Sequence, residues 1–168
     1  KADGVVTRDE IEAFKQVFRV PPEESKNVAR VFDIAKRDAR GFEPYARQVA
    51  KMFRGNPAVL EELMGALFHI AAADGVYHPG EKEYLATVAE NLGFSETDFS
   101  RIEASHMGPD KADPYVILGI PHRASNAEAK AAWRKLVHET HPDRLVADGM
   151  PEELISQANE RLAAINTA

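Results

Sequence analysis

Residues 126–143 read NAEAKAAWRKLVHETHPD, and this stretch decides the fold of the C-terminal third of the chain. Its apolar residues recur at helical spacing: Ala129, Ala132, Trp133, Leu136 and Val137. The helix cannot continue through His141, because the residue before a proline is pushed toward extended backbone and Pro142 has no N–H to donate. The pattern therefore predicts an amphipathic helix that ends in a turn displaying His141 and Asp143.

A second amphipathic helix is predicted downstream, over residues 151–166. Gly149 and Pro151 mark its start, and its apolar positions again have helical spacing. These positions are Leu154, Ile155, Ala158, Leu162 and Ile165. Two helices joined by a short connection pack antiparallel, which places the His-Pro-Asp turn at one tip of a hairpin.

A short helix is predicted ahead of this hairpin. Asp113 can cap it, with Pro114 at the first helical position, and Gly119 can end it in a left-handed conformation. Ser125 and Glu128 then have capping-box spacing, which predicts where the long helix begins. Two side chains of the short helix are expected to face the core: Tyr115 and Leu118.

The His-Pro-Asp turn between two helices, behind the DPYVILG opening at 113–119, resembles the J domain of the DnaJ co-chaperones. This resemblance implies a regulator that binds a DnaK-type heat-shock ATPase and stimulates its ATP hydrolysis, and not an enzyme. The resemblance assigns the signalling turn to His141, Pro142 and Asp143. It also implies a basic face that meets an acidic surface of the ATPase: Lys130, Arg134, Lys135 and Arg144.

Both parts of this assignment have a plainer alternative. Pro142 could simply end a helix while Asp143 caps the next element. The lysines and arginines could form an ordinary solvated helix face, as most runs of charge do. The flanking residues favour the J-domain interpretation of the turn. For the lysines and arginines, the sequence does not decide between a partner-binding face and an ordinary solvated helix face.

Residues 1–105 are predicted to be entirely helical, with successive apolar stripes at helical spacing. The most apolar stripe lies within residues 57–73, so that helix is expected to be central. A stripe over 45–53 comprises Tyr45, Val49, Met52 and Phe53. Residues 106–112 contain glycine, proline and charge and are the predicted linker.

An internal repeat lies within this region. The sequence ADGV occurs at 2–5 and at 73–76, and a glutamate follows each aspartate by seven residues, at Glu10 and Glu81. The repeat resembles the TerB tellurite-resistance fold. The whole chain is therefore similar to the DjlA group of bacterial J-domain proteins. The implied architecture is all-α, with a TerB-like helical bundle over 1–105 and a small antiparallel J-domain hairpin over 113–168.

The acidic repeats are also candidate metal ligands. If the two loops meet, Asp3, Glu10, Asp74 and Glu81 would offer hard oxygen ligands suited to Ca²⁺ or Mg²⁺. No other cofactor is expected. The alternative is that Asp-Gly is ordinary turn chemistry and that the glutamates cap helices, with Thr7 and Glu10 at capping-box spacing. A metal- or stress-responsive scaffold that uses the J domain only for recruitment is the alternative function.

By symmetry of the repeat, Asp3-Gly4 should close a helix whose body precedes Lys1. Without that helix, an apolar groove would lie bare near Ile11, Phe14 and Phe68. Exposed apolar patches favour a partner, so a homodimer through the N-terminal region is one expectation.

Composition limits the remaining function classes. The 168 residues are 44% hydrophobic and 29% charged with a net charge of −6, which does not indicate nucleic acid as a partner. Cysteine is absent, which excludes disulfides and thiolate zinc sites. No stretch approaches the about twenty apolar residues that cross a bilayer. We expect a cytoplasmic location, and the resemblance implies a parent protein tethered to the bacterial inner membrane.

Overall fold

The computed structural model describes residues 8–18, 20–37, 41–106 and 113–168. These ranges contain ten α-helices and one 3₁₀ turn, and no described residue lies in a strand, which confirms the all-α prediction. The helices are α1 Arg8–Val17, α2 Ser25–Arg37, α3 Glu43–Met52, α4 Pro57–Ala71, α5 Pro79–Leu92, α6 Glu96–His106, α7 Pro114–Ile117, α8 Asn126–Thr140, α9 Pro142–Ala147 and α10 Ile155–Thr167, with the 3₁₀ turn at Glu152–Leu154. We call 8–106 the N-terminal region and 113–168 the C-terminal region.

Helix α4 is the centre of the N-terminal region, as its apolar sequence predicts. It packs against α1, α5 and α6, and also against α10 of the C-terminal region. Seven of its fifteen residues are buried, because neighbours cover it on several sides. The main apolar cluster joins α4, α5 and α6 through Leu60, Met64, Phe68, Leu85, Val88, Ala89, Leu92, Phe99 and Ile102.

The stripe predicted for α3 is only half correct. Val49 and Phe53 pack against the main cluster, whereas Tyr45 and Met52 are exposed. Helix α3 packs mainly against α5, so only a narrow stripe of its surface is covered. Periodicity identifies an apolar face but does not say how much of it a neighbour will cover.

Helix ends follow the local sequence. Gly93 ends α5 in the left-handed conformation with φ +96°. His106 is the last residue of α6 and belongs to that helix, which corrects its placement at the start of the linker. The rest of the predicted linker, 107–112, lies outside the described residues. Among the helices described, none has the length and apolar character needed to cross a membrane.

In the C-terminal region, α8 and α10 form the predicted antiparallel pair. Trp133, at the middle of α8, donates from Nε1 to Oδ1 of Asn166 at the end of α10, at 3.1 Å. Trp133 is more exposed than its place in the apolar stripe predicts. The buried residue of α7 is Ile117, whereas Tyr115 and Leu118 are only partly covered. A four-residue helix has room for one fully buried position.

The two regions share an apolar cluster. Its buried members come from both: Val17, Val59 and Ala66 from the N-terminal region, and Leu145, Met150, Leu154 and Ala158 from the C-terminal region. Removing this apolar surface from water favours the docked arrangement of the two regions. The C-terminal helices pack on α4 and α6, and Val17 of α1 joins the shared cluster.

Candidate functional site

The His-Pro-Asp turn lies where α8 ends and α9 begins. His141 has φ −61° and ψ 126°, the extended backbone that a following proline favours. Pro142 takes the first helical position of α9, where its missing N–H costs nothing. The sequence predicted a loop here, and the structure instead has a short helix that begins within the tripeptide.

The turn holds its two polar side chains outward. His141 Nδ1 accepts a hydrogen bond from the backbone N–H of Asp143 at 3.3 Å, which caps α9. The His141 side chain is 51% exposed and the Asp143 side chain 93%. Nδ1 of His141 lies 3.8 Å from Oδ2 of Asp143. Both groups are therefore available to a second protein.

The backbone behind the turn is held by contacts with the N-terminal region. Leu145, one turn into α9, is buried in the shared apolar cluster together with Met150. At the other end of α9, Asn56 donates from Nδ2 to the backbone carbonyl of Asp148 at 2.6 Å. The exposed turn is thus followed directly by residues that are buried against the N-terminal region.

The residues predicted to form a basic face lie on α8, and their role in binding a partner stays a prediction. Lys130, Arg134 and Lys135 are all exposed, and none forms an ion pair within the part of the chain that the structure describes. Arg134 donates from Nε to the backbone carbonyl of Lys130 at 3.2 Å. Arg144 extends this positive surface past the turn, with its Nε 3.7 Å from Oδ2 of Asp148.

A cleft of about 760 Å³ runs beside this face. Lys135 and Arg144 line it on the C-terminal side, and Asn56, Glu61 and Asp98 line it on the N-terminal side. The basic residues next to the turn therefore border the N-terminal region directly.

Sequence reasoning did not identify a buried charge network between the two regions. It consists of Glu61, Glu62, Arg101 and Arg161. Arg101 binds Glu61 through both terminal nitrogens, from Nη1 to Oε2 at 3.1 Å and from Nη2 to Oε1 at 2.7 Å. Arg161, on α10, donates to Oε1 of Glu62 at 2.8 Å and also to Glu61. The network therefore links α10 to α4 and α6.

Burial and charge act against each other in this network. Burial raises the pKa of the Glu61 carboxyl, but the Arg161 and Arg101 guanidinium groups outweigh it, so the pKa lies below its ordinary value. At Glu62 burial prevails over the attraction of Arg161, and the pKa is raised. Oε2 of Glu62 has no hydrogen-bond partner among the described residues. The network depends on Arg161, because without it Glu62 would be a buried acid without a cation.

Two features of the sequence could have indicated the network. Glu61 and Glu62 interrupt the most apolar helix of the chain, and Arg161 occupies an apolar-face position three residues after Ala158. Charged residues at core positions are rarely buried unless they are paired. The sequence does not indicate which cation meets which acid.

Two of the predicted acidic metal ligands, Glu81 and Asp74, have local roles. Oε2 of Glu81 accepts the His78 backbone N–H at 2.7 Å, and Oδ1 of Asp74 accepts that of Val76 at 2.9 Å. Asp3 lies outside the described residues. Within the described ranges no group of three or more His, Asp or Glu side chains could hold a metal ion. The four-residue Ca²⁺ or Mg²⁺ site that includes Asp3 stays a prediction.

Among the described residues, the cavity beside Phe68 is not the apolar groove that was predicted, because polar side chains such as Glu12 and Gln157 line much of it. Phe68 is buried, and its ring lies 5.7 Å from that of Phe99 and 6.0 Å from that of His106, measured between centroids. Ile11 and Phe14 are half-buried. The exposed apolar side chains of the described N-terminal region lie on α2, on α3 and after α4, at Val31, Ile34, Tyr45, Met52 and Val76.

Two family models match the chain. The model "Tellurite resistance protein TerB" matches residues 1–104, and the model "DnaJ domain" matches residues 113–168. No solved structure matches the chain. The fold and the exposed His-Pro-Asp turn define a J-domain protein with a helical N-terminal region.

The chain spans about seven tenths of the length of the curated relatives that it matches. The co-chaperone protein DjlA of Photobacterium profundum is 28% identical over all of this chain and 70% of its own length. The DjlA proteins of Vibrio vulnificus and Salmonella typhimurium are 29% and 26% identical, with 71% and 72% of their lengths covered. The chain belongs to the TerB family and, with its C-terminal DnaJ domain, is a DjlA-like J-domain co-chaperone.

Proposed function

We propose that this chain binds a DnaK-type heat-shock ATPase and stimulates its ATP hydrolysis through the His-Pro-Asp turn. The observation that carries the proposal is the exposure of His141 and Asp143 at the tip of a helical hairpin. Leu145, which follows them in α9, is buried in the shared cluster. Neither side chain is used to stabilise the core of the chain. They are therefore available for recognition of a second protein.

The basic face supports a transient, oriented encounter. Lys130, Arg134 and Lys135 have no acidic partner among the described residues, so their charge can attract an acidic surface. Charges at the rim of an interface raise the association rate and fix orientation more than they add affinity. Arg144 lies beyond the turn and would extend this contact.

The turn supplies the part of the contact that can change the partner's state. A ligand shifts a conformational equilibrium only by binding one state better than the other. The Asp143 carboxylate can accept a charge-assisted hydrogen bond, and the His141 ring has a fixed direction because its Nδ1 is bonded to the backbone. We infer that this pair binds the ATPase conformer that hydrolyses ATP.

Single-turnover ATP hydrolysis by DnaK tests the proposal. Increasing amounts of the wild-type chain should raise the hydrolysis rate in a saturable manner. His141→Gln should abolish the effect with an unchanged helical circular dichroism spectrum. The matched control is His69→Gln, which changes an exposed histidine on α4. Wild-type protein without any effect on the rate would overturn the proposal.

The proposed partner also defines the location. A chain that acts on a DnaK-type ATPase must face the compartment that contains it, and we propose that this is the cytoplasm. A membrane-tethered parent protein would then present both regions on the cytoplasmic side. Protease protection of the parent protein in spheroplasts and in inverted vesicles tests this orientation.

A further inference from the structure

We propose that the N-terminal region positions the His-Pro-Asp turn, and that Asn56 and Val59 are the positioning residues. The inference rests on the proposed function, because it concerns how the turn is presented to the ATPase. The N-terminal region then contributes to signalling, because it sets how the turn is presented.

The length of α9 makes this helix dependent on its neighbours. This helix has six residues, and an isolated helix of that length is unstable in water because nucleation costs more than a few hydrogen bonds return. Its direction must therefore be set by tertiary contacts. Since Pro142 and Asp143 form its first turn, the direction of α9 also sets the direction of the two outward side chains.

The first tertiary contact is apolar. Leu145 lies on the inner side of α9 and is buried in the shared cluster with Val59 of α4. Helices α8 and α10 of the same region also contact α9. The C-terminal region therefore covers part of α9, and α4 supplies a separate apolar surface under Leu145.

The second contact is polar and lies at the opposite end of α9. Asp148 follows the last helical residue, and its carbonyl group is one of those that a helix leaves without an internal partner. Asn56 Nδ2 donates to this carbonyl oxygen at 2.6 Å. Asn56 makes no side-chain hydrogen bond that caps its own helix, α4. Its amide is therefore free to cap α9 across the interface.

These two contacts have a functional consequence. If α9 samples other directions when they are removed, only a fraction of molecules presents the turn correctly. The apparent affinity for the partner then falls by that fraction, while the fully bound complex is unchanged. Positioning predicts a shift in the half-saturating concentration, whereas loss of a contacting group predicts loss of the maximal effect.

Two variants and two matched controls test this in the intact chain. Asn56→Ala removes the cap, and Asn27→Ala removes an asparagine whose Nδ2 donates to the nearby Glu24. Val59→Ala removes two methyl groups from the shared cluster. Val88→Ala removes the same two groups from the main N-terminal cluster. The measurements are DnaK single-turnover rates across a concentration series, thermal unfolding, and amide hydrogen exchange over residues 143–148.

We expect the half-saturating concentration to rise about 2- to 10-fold for Asn56→Ala, the range that one hydrogen bond spans. Maximal stimulation should stay at the wild-type level, and amide exchange over residues 143–148 should become faster. Val59→Ala should act in the same direction. Both controls should keep the wild-type half-saturating concentration, including Val88→Ala at a comparable fall in melting temperature.

The outcomes separate this inference from the proposed function. If the wild-type chain stimulates DnaK and both interface variants match it, the positioning inference is wrong and the proposed function stands. If Val88→Ala shifts the half-saturating concentration as much as Val59→Ala, the effect is one of general stability and the inference is again wrong. A wild-type chain without stimulation would overturn both.

Discussion

Arg161 on α10 donates from Nη1 to Oε1 of Glu62 on α4 at 2.8 Å, and the two residues are 2% and 0% exposed. They are separated by 99 positions in the sequence and belong to the two different regions of the chain. A buried pair of this kind is costly to disrupt, because each charge has lost its water. It therefore resists any arrangement in which α10 slides along α4.

Removing one partner should destabilise the chain strongly. Arg161→Met leaves Glu62 buried without a cation, and we expect the free energy of unfolding to fall by about 3–5 kcal/mol. Urea denaturation followed by circular dichroism measures the change. The double variant Glu62→Gln/Arg161→Met should recover part of the loss, because no buried charge is then left unpaired. A fall below about 1 kcal/mol for Arg161→Met would contradict the buried ion pair.

Gly65 should not tolerate a side chain. A Cβ atom at this position would lie 2.4 Å from Cε1 of His106, so the imidazole ring would have to move. We expect Gly65→Ala to lower the free energy of unfolding by about 1–3 kcal/mol, as overpacking does. Gly55→Ala is the matched control, because among the described residues no atom beyond its chain neighbours lies within 4 Å of its added Cβ. Equal melting temperatures for the two variants would show that His106 does not pack on Gly65.

His106 should make stability depend on pH. Burial, assisted by the nearby Arg161, lowers the pKa of its imidazole from 6.5 to about 4. Between these values the unfolded chain binds a proton that the folded chain does not, so stability rises with pH, at up to about 1.4 kcal/mol per pH unit. This contribution is fully present above pH 6.5 and is lost as the pH falls toward 4.

The measurement compares how the free energy of unfolding depends on pH in the wild type and in a variant. His106→Leu removes the titrating group, so the free energy of unfolding of this variant should change less between pH 4 and 6.5 than that of the wild type. Comparing the two chains cancels the contributions of Glu61 and Glu62, which titrate in both. Identical pH profiles would show that the pKa of His106 does not change on folding.

The basic face should act on the rate of encounter. Arg134→Glu reverses one of its charges, and we expect a higher half-saturating concentration for DnaK stimulation. The effect should shrink as salt is added, because exposed charges are screened over about 8–10 Å. Lys51→Glu makes the same change on an exposed residue of α3 and should have little effect. If both variants behave alike, only net charge matters and the face has no specific role.

Local sequence predicted the elements that depend on neighbouring residues. The capping box of α8 is present, with the Ser125 N–H donating to Oε2 of Glu128 at 2.7 Å. Gly119 has φ +66°, as the predicted end of α7 requires. Asp113 accepts the Tyr115 N–H at 2.9 Å, which holds the pKa of its carboxyl below the ordinary value. These features form within a few residues, so a single sequence contains the information for them.

The parts that sequence did not predict depend on distant contacts. The short helix α9 is packed through Leu145, which is buried in a cluster with α4 side chains more than eighty positions earlier in the sequence. The partners of Arg161 and the exposure of Trp133 are likewise set by how α10 docks. The exposed turn itself was predicted, because proline after histidine ends a helix wherever the helix lies.

The most direct test of the account is single-turnover ATP hydrolysis by DnaK in the presence of Asp143→Asn. The Asp143 side chain is 93% exposed, so the variant should keep the wild-type melting temperature while stimulation is lost at every concentration. Glu90→Gln neutralises an exposed acid on α5 and should stimulate as the wild type does. Full stimulation by a correctly folded Asp143→Asn chain would contradict the claim that the turn carries the signal.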